Sequence, residues 1–202
     1  MSREIIAILR GIRPAEAAEI GAAIAGAGIT RMEITLNSDQ PLRSIDAMRA
    51  ALPETVEIGA GTVLRPEEVD EVKAAGGSFI VSPDCNPAVI DRSKALGLGS
   101  FPGVATPSEC FTALRHGADG LKLFPAFLIG CDGLKAIRAV LPPETRTYAV
   151  GGVGPDNFAD WFDAGVTGFG IGSSLYKPGS TAAEIARRAA GIVAAYDACK
   201  TS

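Results

Sequence analysis

Along the chain, short runs of apolar residues alternate with longer stretches in which apolar positions recur every three or four residues. The short runs carry strand periodicity near 4–9, 30–35, 56–60, 78–81, 99–102, 119–124, 146–150 and 168–171. The longer ones carry helical periodicity near 14–27, 40–51, 66–75, 87–96, 107–116, 131–140, 155–164 and 181–199. Proline stands where a helix would begin, at Pro14, Pro66, Pro87, Pro107 and Pro155, and glycine where one would end, at Gly28, Gly76, Gly97, Gly117 and Gly165. Eight β-then-α units without a long linker predict an α/β fold, a (β/α)8 TIM barrel, with residues 1–202 as a single domain. An open doubly wound sheet would satisfy the same alternation.

Two charges break the strand pattern. In Leu121-Lys122-Leu123-Phe124-Pro125 the apolar neighbours face one way and Lys122 the other; in Met32-Glu33-Ile34-Thr35-Leu36 the same holds for Glu33. An ammonium that loses hydration has a lowered pKa, which makes a neutral, nucleophilic amine accessible and suits Schiff-base chemistry. A lysine snorkelling to water at a strand end is the structural alternative. An internal echo ties the two charges together. Leu52-Pro53-Glu54-Thr55 resembles Leu141-Pro142-Pro143-Glu144-Thr145, and the offset from Pro53 to Pro142, 142 minus 53, is 89 residues. Subtracting 89 from 122 gives 33, so half a barrel turn places Glu33 and Lys122 on opposite strands of one interior layer. A buried ion pair without catalytic purpose would fit that placement too.

Composition narrows the chemistry. The net charge of -4 and the absence of a basic run exclude a nucleic-acid surface. Met1 to Leu9 is too short an apolar stretch for a signal core or a membrane span, which predicts a cytoplasmic protein. Cys85, Cys110, Cys131 and Cys199 are scattered and read as reduced, structural thiols. His116, the single histidine, precedes Gly117 at a helix end, so a His-rich zinc site cannot be assembled. Acid–base work falls to carboxylates and covalent work to lysine or cysteine.

Active sites of such barrels lie at the C-terminal ends of the strands. There the chain has Leu9-Arg10-Gly11, Gly61-Thr62 and two glycine-rich loops, Val150-Gly151-Gly152-Val153-Gly154 and Gly170-Ile171-Gly172-Ser173-Ser174. The glycine loops offer backbone N–H groups to a phosphate, although glycine serves tight turns equally well. Arg10, with Thr62, could grip a carboxylate; a surface salt bridge is the plainer role for that arginine.

Taken together, Arg10-Gly11-Ile12, Glu33-Ile34-Thr35-Leu36-Asn37-Ser38, Gly59-Ala60-Gly61-Thr62-Val63, Leu121-Lys122-Leu123-Phe124-Pro125-Ala126, Val150-Gly151-Gly152-Val153 and Gly170-Ile171-Gly172-Ser173 resemble the class I aldolases of 2-keto-3-deoxy-6-phospho-sugar acids. The six motifs span nearly the whole chain in register. The resemblance implies a trimeric barrel that cleaves a phosphorylated keto sugar acid to pyruvate and D-glyceraldehyde 3-phosphate with no metal or organic cofactor. It makes Lys122 the imine-forming residue and Glu33 the general acid/base. It puts the substrate carboxylate near Thr62 and Arg10, and the phosphate near Gly152, Gly172 and Ser173. Within the family the chain looks most like the 6-phosphogalactonate branch, since Asn37 and Val150 stand where the phosphogluconate enzymes typically carry arginine and threonine. Ala126-Phe127-Leu128-Ile129-Gly130 departs from the family, which more often has a polar or acidic residue after the alanine. A phosphogluconate or 4-hydroxy-2-oxoglutarate aldolase would use the same residues. An isomerase or epimerase barrel would leave Lys122 unexplained, and a non-catalytic barrel would bind a phosphorylated ligand without turning it over.

Overall fold

The computed structural model describes residues 3–200. Nine parallel strands, β1 (Ile5–Leu9), β2 (Arg31–Thr35), β3 (Glu57–Gly61), β4 (Phe79–Val81), β5 (Gly99–Phe101), β6 (Gly103–Val104), β7 (Leu121–Leu123), β8 (Thr147–Val150) and β9 (Gly168–Ile171), are hydrogen-bonded in the order β5-β4-β3-β2-β1-β9-β8-β7-β6. The two ends of that series, β5 and β6, are one extended stave interrupted at Pro102, which has no N–H to offer a ladder. Neighbours bond across the interruption: Ser82 N donates to Phe101 O and Lys122 N to Pro102 O. The sheet therefore closes into eight staves, the (β/α)8 barrel that the alternation predicts. The fifth stave extends to Val104, two residues beyond the expected end.

Among the described residues eight α-helices surround it: α1 (Pro14–Gly26), α2 (Pro41–Ala51), α3 (Pro66–Ala74), α4 (Pro87–Ala95), α5 (Pro107–Arg115), α6 (Ala126–Arg138), α7 (Phe158–Asp163) and α8 (Ala182–Lys200). Proline opens each of the first five, where its missing N–H costs no helical hydrogen bond. Two helices differ from expectation. The segment near 155–164 begins as a 3-10 turn, Pro155–Asn157, before α7. The one expected at 131–140 already starts at Ala126 and is broken at Gly130, whose φ of 68° and ψ of 171° are non-helical.

The strand alternation separates two cores. Outward residues such as Ile5, Ala7, Leu9, Met32, Ile34, Leu121 and Leu123 pack under the helices. Inward, Ile6, Phe79, Val81, Phe101 and Tyr148 fill the barrel, with Phe101 edge-on to Phe79 and Tyr148 at centroid separations of 5.9 and 5.4 Å. Below this layer the Tyr148 hydroxyl donates to Glu4 Oε2 at 2.8 Å, and Glu4 pairs with Arg31 and Arg146. Aromatic packing and a polar floor thus seal the N-terminal end and leave the strands' C-terminal ends as the place for chemistry.

Candidate active site

Strand periodicity turns Met32 and Ile34 toward the helices and Glu33 inward; on β7 the same alternation turns Lys122 inward between Leu121 and Leu123. In both directions around the barrel three staves lie between β2 and β7, so Glu33 and Lys122 are diametrically opposed, as the 89-residue offset implies. Both are buried, with 2% and 7% of their surface exposed. They face each other without touching: among the described residues neither forms a salt bridge within 4 Å, and Glu33 Oε2 has no hydrogen-bond partner. The cavity lined by Glu33, Lys122, Val150 and Gly170 measures about 10 Å³, on the scale needed for a single water.

Desolvation governs both groups. Burial raises the Glu33 carboxyl to about 7, against the pull of the Lys122 and Arg10 charges. Burial lowers the Lys122 ammonium, with Glu33 opposing that shift and Arg10 adding to it. The Phe124 ring, two residues on and therefore on the same strand face, lies with its centroid 4.7 Å from Lys122 Nζ. The peptide between Phe124 and Pro125 is cis. The carboxylate leans over Gly61: a Cβ there would lie 2.6 Å from Glu33 Oε1, so only glycine leaves it room.

Above this layer a cavity of about 340 Å³ opens at the barrel mouth. Its walls include Arg10, Val150, Gly152, Gly172 and Ser173 among the residues expected from sequence. Val150, 7% exposed at the end of β8, borders both cavities. Gly152 has φ +74°, a conformation side chains rarely adopt, and its carbonyl accepts from Asn157 Nδ2 at 3.0 Å, which holds the loop. Arg10 takes no part in the surface salt bridge considered for it: among the described residues it has no ion-pair partner within 4 Å, and its Nη1 donates to Asn37 Oδ1 at 2.8 Å. Asn37 thus reaches the mouth through Arg10. Thr62 does not line the cavity, but it holds φ +61°, an outlier for a β-branched residue and of the kind found at functional sites.

Sequence reasoning missed Phe124, Tyr176, Lys177 and Pro178, which complete the mouth. Phe124 was detectable from strand period; the other three lie in the long connection after β9, where periodicity carries no signal. His116 lies away from the site, its Nδ1 2.7 Å from Asp91 Oδ1 on the surface. Among the described residues no three His, Cys, Asp or Glu side chains cluster as metal ligands would.

A closed parallel barrel with a desolvated lysine facing a desolvated carboxyl beneath glycine-rich loops is an architecture for imine chemistry on a small polar substrate. The model of the KDPG and KHG aldolase family matches residues 1–187, and the chain belongs to that family. The chain is 48% identical to the probable 2-dehydro-3-deoxy-6-phosphogalactonate aldolase of Rhizobium meliloti (strain 1021), covering 98% of this chain and 93% of that protein. Identity to the 2-dehydro-3-deoxy-6-phosphogalactonate aldolase of Escherichia coli (strain K12) is also 48%, over 95% and 94% of the two chains. Among solved structures, the native KDPGal structure superposes with a TM-score of 0.97 at 44% identity, covering 100% of this chain and 98% of that one.

Proposed function

We propose that the protein is a class I aldolase that cleaves 2-dehydro-3-deoxy-6-phosphogalactonate to pyruvate and D-glyceraldehyde 3-phosphate. The observation that carries this reading is the buried Lys122 amine facing, across the barrel, the buried Glu33 carboxyl, whose Oε2 has no hydrogen-bond partner among the described residues. Lys122 Nζ adds to the C2 carbonyl and water leaves, giving a protonated imine. As the C4 hydroxyl loses its proton, the C3–C4 bond breaks, its electron pair passes into the imine, and the aldehyde departs. Glu33 serves as the proton carrier, directly or through one water in the space beside it. Protonation of the enamine at C3 and hydrolysis of the imine release pyruvate and restore the amine.

Arg10 and Thr62 hold the substrate carboxylate, and Gly152, Gly172 and Ser173 receive the phosphate through N–H and hydroxyl donors. Val150 and Asn37 set the preference at C4; the 48% identity to two proteins named for the galactonate substrate supports that branch. Residues 1–202 act as one barrel domain in a cytoplasmic homotrimer that needs no cofactor. Among the described residues no helix is long and apolar enough to cross a membrane.

The test is incubation with pyruvate and borohydride followed by peptide mass spectrometry. A reduced pyruvate adduct on Lys122 is expected, and Lys122→Ala should abolish both adduct and turnover. An adduct on Lys135 or Lys177, or none, would overturn the mechanism.

A further inference from the structure

We infer that Lys177 is the counter-charge of the phosphate subsite and makes the enzyme prefer phosphorylated over unphosphorylated 2-keto-3-deoxy acids. The inference rests on the aldolase reading. Among the described residues, two cationic ones line the 340 Å³ mouth cavity, Arg10 and Lys177. Arg10 is committed to the inner end: it donates to Asn37 and is close enough to Glu33 and Lys122 to shift both. The glycine loops supply only neutral donors, whereas a phosphate monoester carries a charge of about -1.5 to -2 near neutrality. Lys177, on the same connection as Gly172 and Ser173, is the charge left to balance it.

The backbone that carries Lys177 is fastened on both sides. Leu175 N and Tyr176 N both donate to Gly172 O, at 2.9 and 3.0 Å. The buried Tyr176 donates its hydroxyl to Glu16 Oε1 at 2.9 Å, which ties the segment to the first turn of α1. Pro178 packs on Gly11, where a Cβ would come within 2.9 Å of its Cγ. Ser180 N donates to Lys177 O at 3.1 Å, and Arg188 Nη1 donates to Leu175 O and Ser180 Oγ. The Lys177 side chain itself is exposed and, among the described residues, has no salt-bridge partner within 4 Å. A fixed backbone at the cavity wall, bearing a lysine with no ion-pair partner among the described residues, suits electrostatic capture of a dianion. A lysine acts there as a point charge, screened by salt.

The experiment compares Lys177→Met, Lys177→Arg and Lys177→Glu with wild type on the phosphorylated substrate and its unphosphorylated analogue. In Lys177→Met the ratio of the two kcat/KM values should fall about 10-fold, mainly through KM, and in Lys177→Glu about 100-fold, while Lys177→Arg stays within about 3-fold of wild type. Calorimetric affinity for inorganic phosphate should weaken in the same order, and the difference between wild type and Lys177→Met should shrink as salt is added. An unchanged ratio, equal losses on both substrates, or unaltered phosphate affinity would overturn the role of Lys177. Phosphate binding needs no turnover, so this readout stands apart from borohydride trapping at Lys122, whose failure would instead remove the aldolase reading.

Discussion

Glu33 and Lys122 are both held where folding disfavours their charged forms. For Glu33 the sign of the pH dependence follows directly. Its folded value of about 7 lies above the ordinary 4.5, so the stability it contributes is complete below the unfolded value and is lost as pH rises through 7. A neutral glutamine escapes that loss. Glu33→Gln should therefore be more stable than wild type by about 1–3 kcal/mol near pH ~8, with the difference vanishing near pH ~4. Its kcat should fall about 10²-fold or more. Denaturant titrations at the two pH values, with steady-state assays, check both; a destabilised variant with normal kcat would indicate a structural rather than a catalytic role for Glu33. Removing Glu33 also removes a charge that raises the Lys122 amine, so pyruvate trapping should persist and extend to lower pH. Val150 belongs to the same scale. Its side chain borders both cavities and presses on Gly170, where a Cβ would come within 2.7 Å of Val150 Cγ2. Threonine has nearly the same shape and adds a hydroxyl that can bond a substrate oxygen, a difference of roughly 1–3 kcal/mol. Val150→Thr should raise the ratio of phosphogluconate-type to phosphogalactonate-type cleavage by about 10- to 100-fold. Rates on both C4 epimers decide it, and an unchanged ratio leaves the specificity argument to Asn37.

Between elements, the site depends on how closely β2 and β3 approach. Thr35 pairs with Gly61 and Glu33 with Gly59, which brings the Glu33 carboxylate up against the Gly61 backbone. Gly61→Ala would drive a methyl into that carboxylate. The expected result is a loss of about 1–3 kcal/mol and a fall in kcat of about 10-fold or more, while the borohydride adduct still forms at Lys122. Measuring stability and kcat on one preparation tests this; normal kcat would mean that the carboxylate can move without consequence. Elements of this kind were mostly legible. The eight staves show in the sequence because each carries a short apolar run bounded by proline or glycine, and Glu33 and Lys122 show because a charge inside such a run has one face left to occupy. The start of α6 did not show. Gly130 reads as a breaker, and the first turn, Ala126 to Ile129, exposes Phe127 and Leu128 at 66% and 74%, leaving no amphipathic stripe. Nor did the Arg10–Asn37 bond or the position of Lys177, because loop-to-loop contacts depend on stave register and backbone turns that periodicity does not encode.

For the molecule as a whole, the half-turn echo has a geometric consequence. Equivalent positions on the second and sixth staves converge from opposite walls, and the aromatic layer beneath them closes the barrel, so the two charges share one narrow space that opens upward. Such a centre could work in a single chain. The resemblance implies three chains, and four large apolar side chains are left exposed among the described residues: Leu64, Phe127, Leu128 and Val140 expose 45%, 66%, 74% and 58% of their area. Large apolar side chains left in water are where association lowers free energy. Sedimentation equilibrium of the purified protein should therefore give three times the 20.7 kDa chain mass, about 62 kDa, over the micromolar range. A species at 20.7 kDa would remove the trimer while leaving the chemistry proposed for Glu33 and Lys122 untouched, since both side chains come from one barrel.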